Sequence, residues 1–191
     1  MPVAGLAAPC YHQGMRKHKL AATLVLAATL LAGCNPTYNW RDYSSPDAPY
    51  RVMFPAKPAS HTRSVDLNGT KVEMTMTAAE VEGVMFAVGT GIAEDAAGAQ
   101  AAVDAMKTAM LRNIEATVER ESASAASSGN PDTARKSIDI DATGSGNGGP
   151  MKLIGHFESR GKRFYQVIVL GKDKAVPAEQ SEQFMKSFTL L

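Results

Sequence analysis

The segment Phe164–Leu170 constrains the fold more than any other part of this sequence. All but one of its residues are apolar. A strand that is apolar on alternate positions buries one face, whereas a strand that is apolar throughout is buried on both faces. The segment therefore predicts a central strand with Val167 and Val169 on one side of a sheet, Ile168 and Leu170 on the other, and helices covering both sides.

Further strands are predicted before this segment. Asn68-Gly69 is a strong two-residue hairpin signal between the alternating stretches Ser64–Leu67 and Lys71–Ala79. A turn at Glu82-Gly83 then leads into the apolar stretch Val84–Ile92. The remaining predicted strands are Tyr50–Phe54, Ala134–Thr143 and Met151–Ser159, with the glycine-rich run Gly144–Gly149 as a flexible turn between the last two.

Two helices are predicted. Ala96–Val118 carries apolar residues at three- and four-residue steps, and Asp95 is a suitable N-cap. The following run from Ser122 to Pro131 is rich in Ser, Ala and Gly and is predicted to be a loop. Pro177 opens the last helix, whose apolar stripe is Phe184, Met185 and Phe188. The order of elements predicts an α+β fold, a mostly antiparallel sheet of about six to seven strands sandwiched between helices.

Two short patterns carry a resemblance to a known family. Tyr50-Arg51-Val52-Met53-Phe54-Pro55 is similar to the early strand ending in Phe-Pro of PsbP-like and DcrB-like proteins. Phe184-Met185-Lys186-Ser187-Phe188 is similar to the closing helix of that group. With the element order, the resemblance spans roughly Trp40–Leu191, and Ala48-Pro49 departs from it where a Gly is expected. The resemblance implies a binding or assembly role on larger complexes, no catalysis, and no particular functional residue.

The residues before Cys34 have the organisation of a secretory signal. Arg16, Lys17 and Lys19 form a basic segment, and Leu20–Leu31 is uncharged and largely apolar. A helix over that run reaches only ~18 Å, at ~1.5 Å per residue, and is shorter than the ~30 Å hydrocarbon core of a bilayer. We therefore expect a cleaved signal segment and not a permanent transmembrane helix.

Leu31-Ala32-Gly33-Cys34 resembles a bacterial lipobox, in which the signal peptide is cut before the cysteine and the cysteine is acylated. It predicts cleavage between Gly33 and Cys34 and a lipid on Cys34, with a plain secretory signal as the alternative. Met15 is followed directly by basic residues and makes a better start than Met1. We therefore expect residues 1–33 to be removed, and residues 1–14 not to be translated if Met15 is the start.

The lipobox also predicts a location. The protein is expected to be exported and anchored by lipid to the cell membrane, facing the periplasm. Asn35 is not the Asp linked to inner-membrane retention in enteric bacteria, so the outer membrane is favoured over the inner one. Residues 34–49 are rich in Pro, Ser, Asp and Asn and are predicted to be a tether, with residues 50–191 as a single globular domain. The tether's aromatic residues, Tyr38, Trp40 and Tyr43, could dock on the domain or sit at a membrane interface, and docking is favoured.

Charge and cysteine content exclude several classes of function. The formal net charge of the full chain is +1. Removal of the three basic residues of the signal segment makes it slightly negative, which gives no electrostatic basis for nucleic-acid binding. Cys10 and Cys34 are the two cysteines. The mature domain therefore has no free thiol for a disulfide, a thiolate metal site or a cysteine nucleophile.

Few residues remain as candidates for chemistry. Asp139 and Asp141 fall on one strand face, and paired carboxylates can hold a cation or perform acid–base work. His156 lies on the next strand, and the other histidine of the mature chain is His61. Two histidines are too few for a zinc site by themselves. A solvated strand face explains the aspartates better than a functional pair does, because no third ligand is placed nearby in the sequence.

Methionine is frequent, with ten residues in the chain. Met74, Met76, Met106 and Met110 fall on predicted apolar faces, where core packing explains them better than soft-metal binding. With no nucleophile motif, no metal set and no cofactor motif, we expect a non-catalytic envelope lipoprotein that binds a protein partner. The alternative is a domain that binds a small ligand or cation, or is hydrolytic, through a cleft near Asp139, Asp141 and His156.

Overall fold

The computed structural model describes residues 37–67, 69–126, 129–130, 133–146 and 148–191. Of these, Thr37–Leu191 forms one compact unit. The signal segment, the alternative start at Met15 and the lipobox with Gly33 and Cys34 lie outside the described residues, as does Asn68 of the predicted hairpin turn. None of the described helices has the length and apolar character needed to cross a bilayer.

Two antiparallel sheets and two α-helices make up the described part of the chain. In order, the elements are β1 (Arg41–Ser44), β2 (Tyr50–Phe54), β3 (Ala59–Leu67), β4 (Thr70–Val81), β5 (Val84–Ile92), α1 (Ala96–Asn113), β6 (Thr117–Ala126), β7 (Arg135–Gly146), β8 (Gly149–Arg160), β9 (Arg163–Lys172), a 3-10 turn (Asp173–Ala175), α2 (Ala178–Ser187) and β10 (Thr189–Leu190). The larger sheet has seven strands in the order β3-β4-β5-β9-β8-β7-β6, and the smaller has three in the order β1-β2-β10. Every pairing is antiparallel.

β9 lies at the centre of the seven-stranded sheet and is buried on both faces, as predicted. Val167 and Val169 belong to one hydrophobic core, and Ile168 belongs to the other, with Leu170 packed against it. We call the side covered by α1 the α1 face, and the side covered by α2 and the small sheet the α2 face. On the α2 face, the ring of Phe184 lies 5.5 Å from that of Phe54. The predicted fold class is confirmed: helices cover both sides of an antiparallel sheet.

The predicted main helix is correct at its start and wrong at its end. Asp95 caps it, since its Oδ1 accepts a hydrogen bond of 2.7 Å from the backbone N–H of Gly98. α1 ends at Asn113, five residues before the predicted Val118. Glu115 has φ of 47°, in the left-handed region, which turns the chain out of the helix.

Half of the loop predicted from Ser122 to Pro131 belongs to a strand, which extends to Ala126. Thr117–Ala126 forms β6, which pairs with β7 along its length. Nearly all of its side chains are exposed, so no hydrophobic alternation marks it in the sequence. Hydrogen bonds between β6 and β7 hold the strand in place, and one of them joins the hydroxyls of Ser124 and Ser137 over 2.9 Å. An edge strand without a buried face can form because the neighbouring strand provides hydrogen-bond partners for its backbone.

The turn within the glycine-rich run is also shorter than predicted. β7 continues to Gly146 and β8 begins at Gly149. Gly144 lies within β7, where the end of α1 crosses the strand and the backbone N–H of Ser145 donates to the carbonyl of Ile114 over 2.7 Å. A Cβ atom at Gly144 would overlap that carbonyl oxygen. This glycine therefore permits the close approach of helix and strand.

The folded unit begins earlier than the predicted domain. β1 lies inside the stretch 34–49 assigned to a tether, and it pairs with β2 from Arg41 to Ser44. Tyr38, Trp40 and Tyr43 pack against the core of the α2 face. Docking of these aromatic residues on the domain is therefore observed, and the chain from Thr37 onward is part of the fold.

Candidate functional site

The structure brings together two of the three residues predicted for a polar cleft. Asp139 of β7 lies directly opposite His156 of β8, while Asp141 lies opposite Ile154. Ile138 is buried in the core of the α1 face, so strand alternation places both aspartates on the α2 face, as predicted. Their partners differ, however, and the two carboxylates belong to separate clusters.

The first cluster consists of Arg135, Asp139, His156 and Glu158, and we call it the His156 cluster. His156 Nδ1 lies 2.7 Å from Asp139 Oδ1, and Nε2 lies 3.3 Å from Glu158 Oε2. Arg135 donates to the other oxygen of Glu158 over 2.9 Å. Ionised carboxylates only accept hydrogen bonds, so contacts from both ring nitrogens to carboxylates suit the imidazolium form of His156.

Opposing effects set the charge state of this cluster. Burial of the ring acts to lower the pKa of His156, but the hydrogen bonds to Glu158 and Asp139, with their negative charges, outweigh it and raise the pKa above its ordinary value. Burial acts to raise the pKa of Glu158, and the bonds from His156 and Arg135 outweigh it, so that pKa is lowered. Each partner thus holds the other in its charged form.

The His156 cluster forms one wall of an open pocket with a volume of about 490 Å³. The opposite wall comes from the end of α2 and from β10 and is mixed, with apolar Met185, Phe188 and Leu190 beside polar Lys186 and Thr189. The rings of His156 and Phe188 are 6.1 Å apart. Sequence reasoning missed Glu158, although alternation along β8 places it on the same face as His156.

Asp141 belongs to a second cluster with Arg120, Lys152 and Glu119. It accepts a hydrogen bond from Arg120, and its Oδ1 lies 3.3 Å from Lys152 Nζ. Burial acts to raise its pKa, but Arg120 and Lys152 outweigh that effect and lower it. Among the described residues, no group of three or more His, Cys, Asp or Glu is placed to hold a metal ion.

The other feature of note is an apolar groove on the α1 face, which we call the methionine groove. It lies between α1 and strands β3, β4, β5 and β9, with a volume of about 540 Å³. Its methionines are Met74, Met76, Met85, Met106 and Met110. Met74 and Met106 are buried, as predicted for core residues. The other three are half-buried and pack against the core of the α1 face. Core packing is therefore confirmed for Met76 and Met110 as well, although part of each side chain lines the groove.

A glycine on β5 makes room for two of these side chains. A Cβ atom at Gly89 would overlap the ends of both Met74 and Met76, so these side chains lie directly over the β5 backbone. This arrangement depends on the pairing of a strand that carries methionines with a strand that carries glycines. It cannot be predicted from the sequence until the register Met76↔Gly89 is known.

Polar residues line the rim of the methionine groove. His61 and Arg63 of β3 are exposed and lie on the groove side of the strand. Arg63 forms no ion pair with any residue that the structure describes. Asp66 instead caps the β3–β4 turn, accepting a 2.6 Å hydrogen bond from the backbone N–H of Gly69. The groove thus combines a mostly apolar floor, in which Gln166 is polar, with Arg63 and the Asp66 carboxylate at one edge.

Comparison with known proteins gives a likeness to a solved structure. No protein family and no curated protein matches this sequence. Among solved structures, the chain is similar to the solution structure of cyanobacterial PsbP (CyanoP) from Synechocystis sp. PCC 6803. The sequences are 11% identical, the match covers 84% of this chain and 97% of that one, and the TM-score is 0.49.

Proposed function

We propose that this protein is a lipid-anchored lipoprotein of the cell envelope that binds another envelope protein and has no catalytic activity. The lipobox pattern supports an anchor on Cys34 after cleavage at Gly33, with the domain facing the periplasm. The methionine groove is the observation that carries the binding role. Its occupant is an apolar segment of the partner with an acidic residue beside it to pair with Arg63.

Three properties of the groove support this role. Methionine side chains are flexible and polarizable, so they adapt to different apolar surfaces. Half-buried Met76, Met85 and Met110 leave apolar area in contact with water, and covering that area stabilises a complex by the hydrophobic effect. The free Arg63 adds charge complementarity, which favours a partner of defined orientation.

The bonding around His156 supports binding over catalysis. A general base or a metal ligand needs a ring nitrogen with a free lone pair. Both nitrogens of His156 are engaged with carboxylates. Asp139 and Asp141, the candidate acidic pair, face different cations and do not form one acid–base unit.

The proposal is tested by a pull-down from detergent-solubilised membranes with matched variants of α1. Met110→Glu places a carboxylate in the groove, and Thr108→Glu places one on the same helix at an exposed position outside it. We expect the first variant to lose the partner at least about tenfold, since burying an unpaired charge is costly, and the second to retain it. Both variants must unfold at the wild-type temperature, and equal retention by both would contradict the proposal.

One observation favours a second candidate. The pocket beside the His156 cluster is large enough for a small ligand, in line with the alternative of a ligand-binding, cation-binding or hydrolytic cleft near Asp139, Asp141 and His156. If this pocket carries the function, the double change Asp139→Asn and Asp141→Asn abolishes complementation of a deletion strain. Under the binding proposal, the same variant complements fully, since the methionine groove is untouched.

A further inference from the structure

We infer that the lipid bilayer itself is a second partner of this domain, and that one end of the fold rests on it. We call this the Trp40 end, defined by Tyr38, Trp40, the Glu82-Gly83 turn and the 3-10 turn Asp173–Ala175. The inference rests on the lipid anchor proposed at Cys34. It concerns a different surface from the methionine groove.

The strand register shows that these parts belong to the same end of the molecule. Val81 pairs with Val84 across the Glu82-Gly83 turn, and Met85 pairs with Leu170 just before β9 ends. Tyr38 lies close enough to Glu82 for that charge to raise its pKa, after burial, which is the larger cause. The backbone N–H of Asn39 donates to the carbonyl of Pro55 over 2.8 Å, which holds this segment against the end of β2.

Chain length places this end next to the anchor. Thr37 is the first residue of the compact unit, and Cys34 precedes it by only three positions in the sequence. At most ~3.6 Å per residue, the acylated cysteine lies within ~11 Å of Thr37. The opposite end of the sheet is farther away by the length of β4, whose 12 residues span ~40 Å. A lipid on Cys34 therefore holds the Trp40 end, and no other, at the membrane surface.

The aromatic pair at this end suits the interfacial region of a bilayer. The rings of Tyr38 and Trp40 stack with centroids 6.4 Å apart and planes 20° from parallel. One side of the pair packs against the core of the α2 face, and both residues keep part of their surface exposed. Tyr and Trp are the residues enriched where membrane meets water, because their rings are amphipathic. Docking on the domain and contact with the membrane are thus compatible.

Charge at the Trp40 end is nearly balanced. Lys172 and Lys174 are exposed beside Glu82 and Asp173, which are exposed as well. Anionic headgroups attract clusters of basic residues, so they add little binding energy at a surface with balanced charge. Contact with the bilayer is therefore held by the anchor and the aromatic rings, and it is expected to depend weakly on salt.

The test uses Trp40, the one tryptophan of the chain. The lipidated protein is reconstituted into phosphatidylcholine vesicles with and without bromine on the acyl chains, since bromine quenches indole fluorescence on contact. The matched variant is Trp40→Phe with Ile92→Trp. This moves the reporter to a position that is 55% exposed and lies at the far end, beside Arg163 and the β8–β9 turn.

We expect brominated lipid to reduce Trp40 emission about twofold or more, because the ring lies at headgroup level, and to leave the Ile92→Trp protein unchanged. Shielding of Trp40 from acrylamide on vesicle binding checks the same contact without any substitution. Equal quenching at both positions, or none at Trp40 in vesicles that carry the protein, overturns the inference alone. If the protein neither carries lipid nor floats with the vesicles, the proposed anchor fails and the inference fails with it.

Discussion

At the scale of single residues, the pKa of His156 is set by the residues that surround it in the fold. Its pKa is raised in the folded protein by Glu158 and Asp139, against the opposite effect of burial. A raised folded-state pKa stabilises the fold fully below the unfolded-state pKa, and this stabilisation is lost as pH rises through the folded-state value. The stabilisation by charged His156 is therefore fully present below the unfolded-state pKa and is lost as the pH rises through the higher folded-state pKa.

We predict that the free energy of unfolding decreases as the pH rises from mildly acidic to mildly alkaline. His156→Gln is expected to remove this decrease, because glutamine does not titrate, whereas His61→Gln on exposed β3 should leave it in place. Urea denaturation of the three proteins across that pH range measures the effect. An identical pH dependence in wild type and His156→Gln would contradict the assignment of charge to His156.

Some residues of the candidate site can be predicted from the sequence, and others cannot. Asp139 and His156 were found because alternation along a strand is visible locally. Their contact, and the inclusion of Glu158 and Arg135, depends on the register between β7 and β8, which no local pattern specifies. Asp141 was grouped with Asp139 on the same evidence, yet Arg120 of β6 holds it in another cluster.

At the scale of elements, the junction between α1 and β6 is where local pattern and tertiary structure conflict. The apolar spacing of α1 continues in phase through Ile114 and Thr117, so periodicity predicts more helix than is present. The helix ends because Glu115 takes a left-handed conformation and the Ile114 carbonyl bonds to Ser145 on β7. Both causes lie in the packing of helix on strand and not in helix propensity.

We predict that Gly144→Ala destabilises the domain by ~1–3 kcal/mol, because the added methyl group overlaps the backbone carbonyl of Ile114 and helix and strand must separate. Gly146→Ala is the matched control on the same strand, since its Cβ would meet only the flexible side chain of Met151. Chemical denaturation gives both free energies. A loss for Gly144→Ala no larger than that for Gly146→Ala would mean that the crossing is loose.

At the scale of the whole molecule, the two-sided sandwich was predictable and the small sheet was not. The apolar run of β9 requires cover on both faces, and α1 and α2 supply much of it. β1 and β10 are four and two residues long, and neither carries an alternating apolar pattern. They form because β2 lies between them as a template.

The location of the protein is tested by its two cysteines. Cys34→Ser is expected to abolish incorporation of a labelled fatty acid and to leave the protein soluble or unprocessed, because the thioether bond needs the sulfur. Cys10→Ser should leave labelling unchanged, since Cys10 precedes the cleavage site and also the alternative start at Met15. Labelling that persists in Cys34→Ser would contradict the lipoprotein proposal.

The late position of β9 in the chain has a consequence for export. β9 joins β5 to β8 and contributes to both cores, yet it begins only at Arg163 of 191 residues. While the chain is synthesised from its N-terminus, neither core can close until nearly all of it has been made. We therefore expect the polypeptide to stay unfolded for most of its synthesis, which is the form that a translocation channel on the proposed export route can thread.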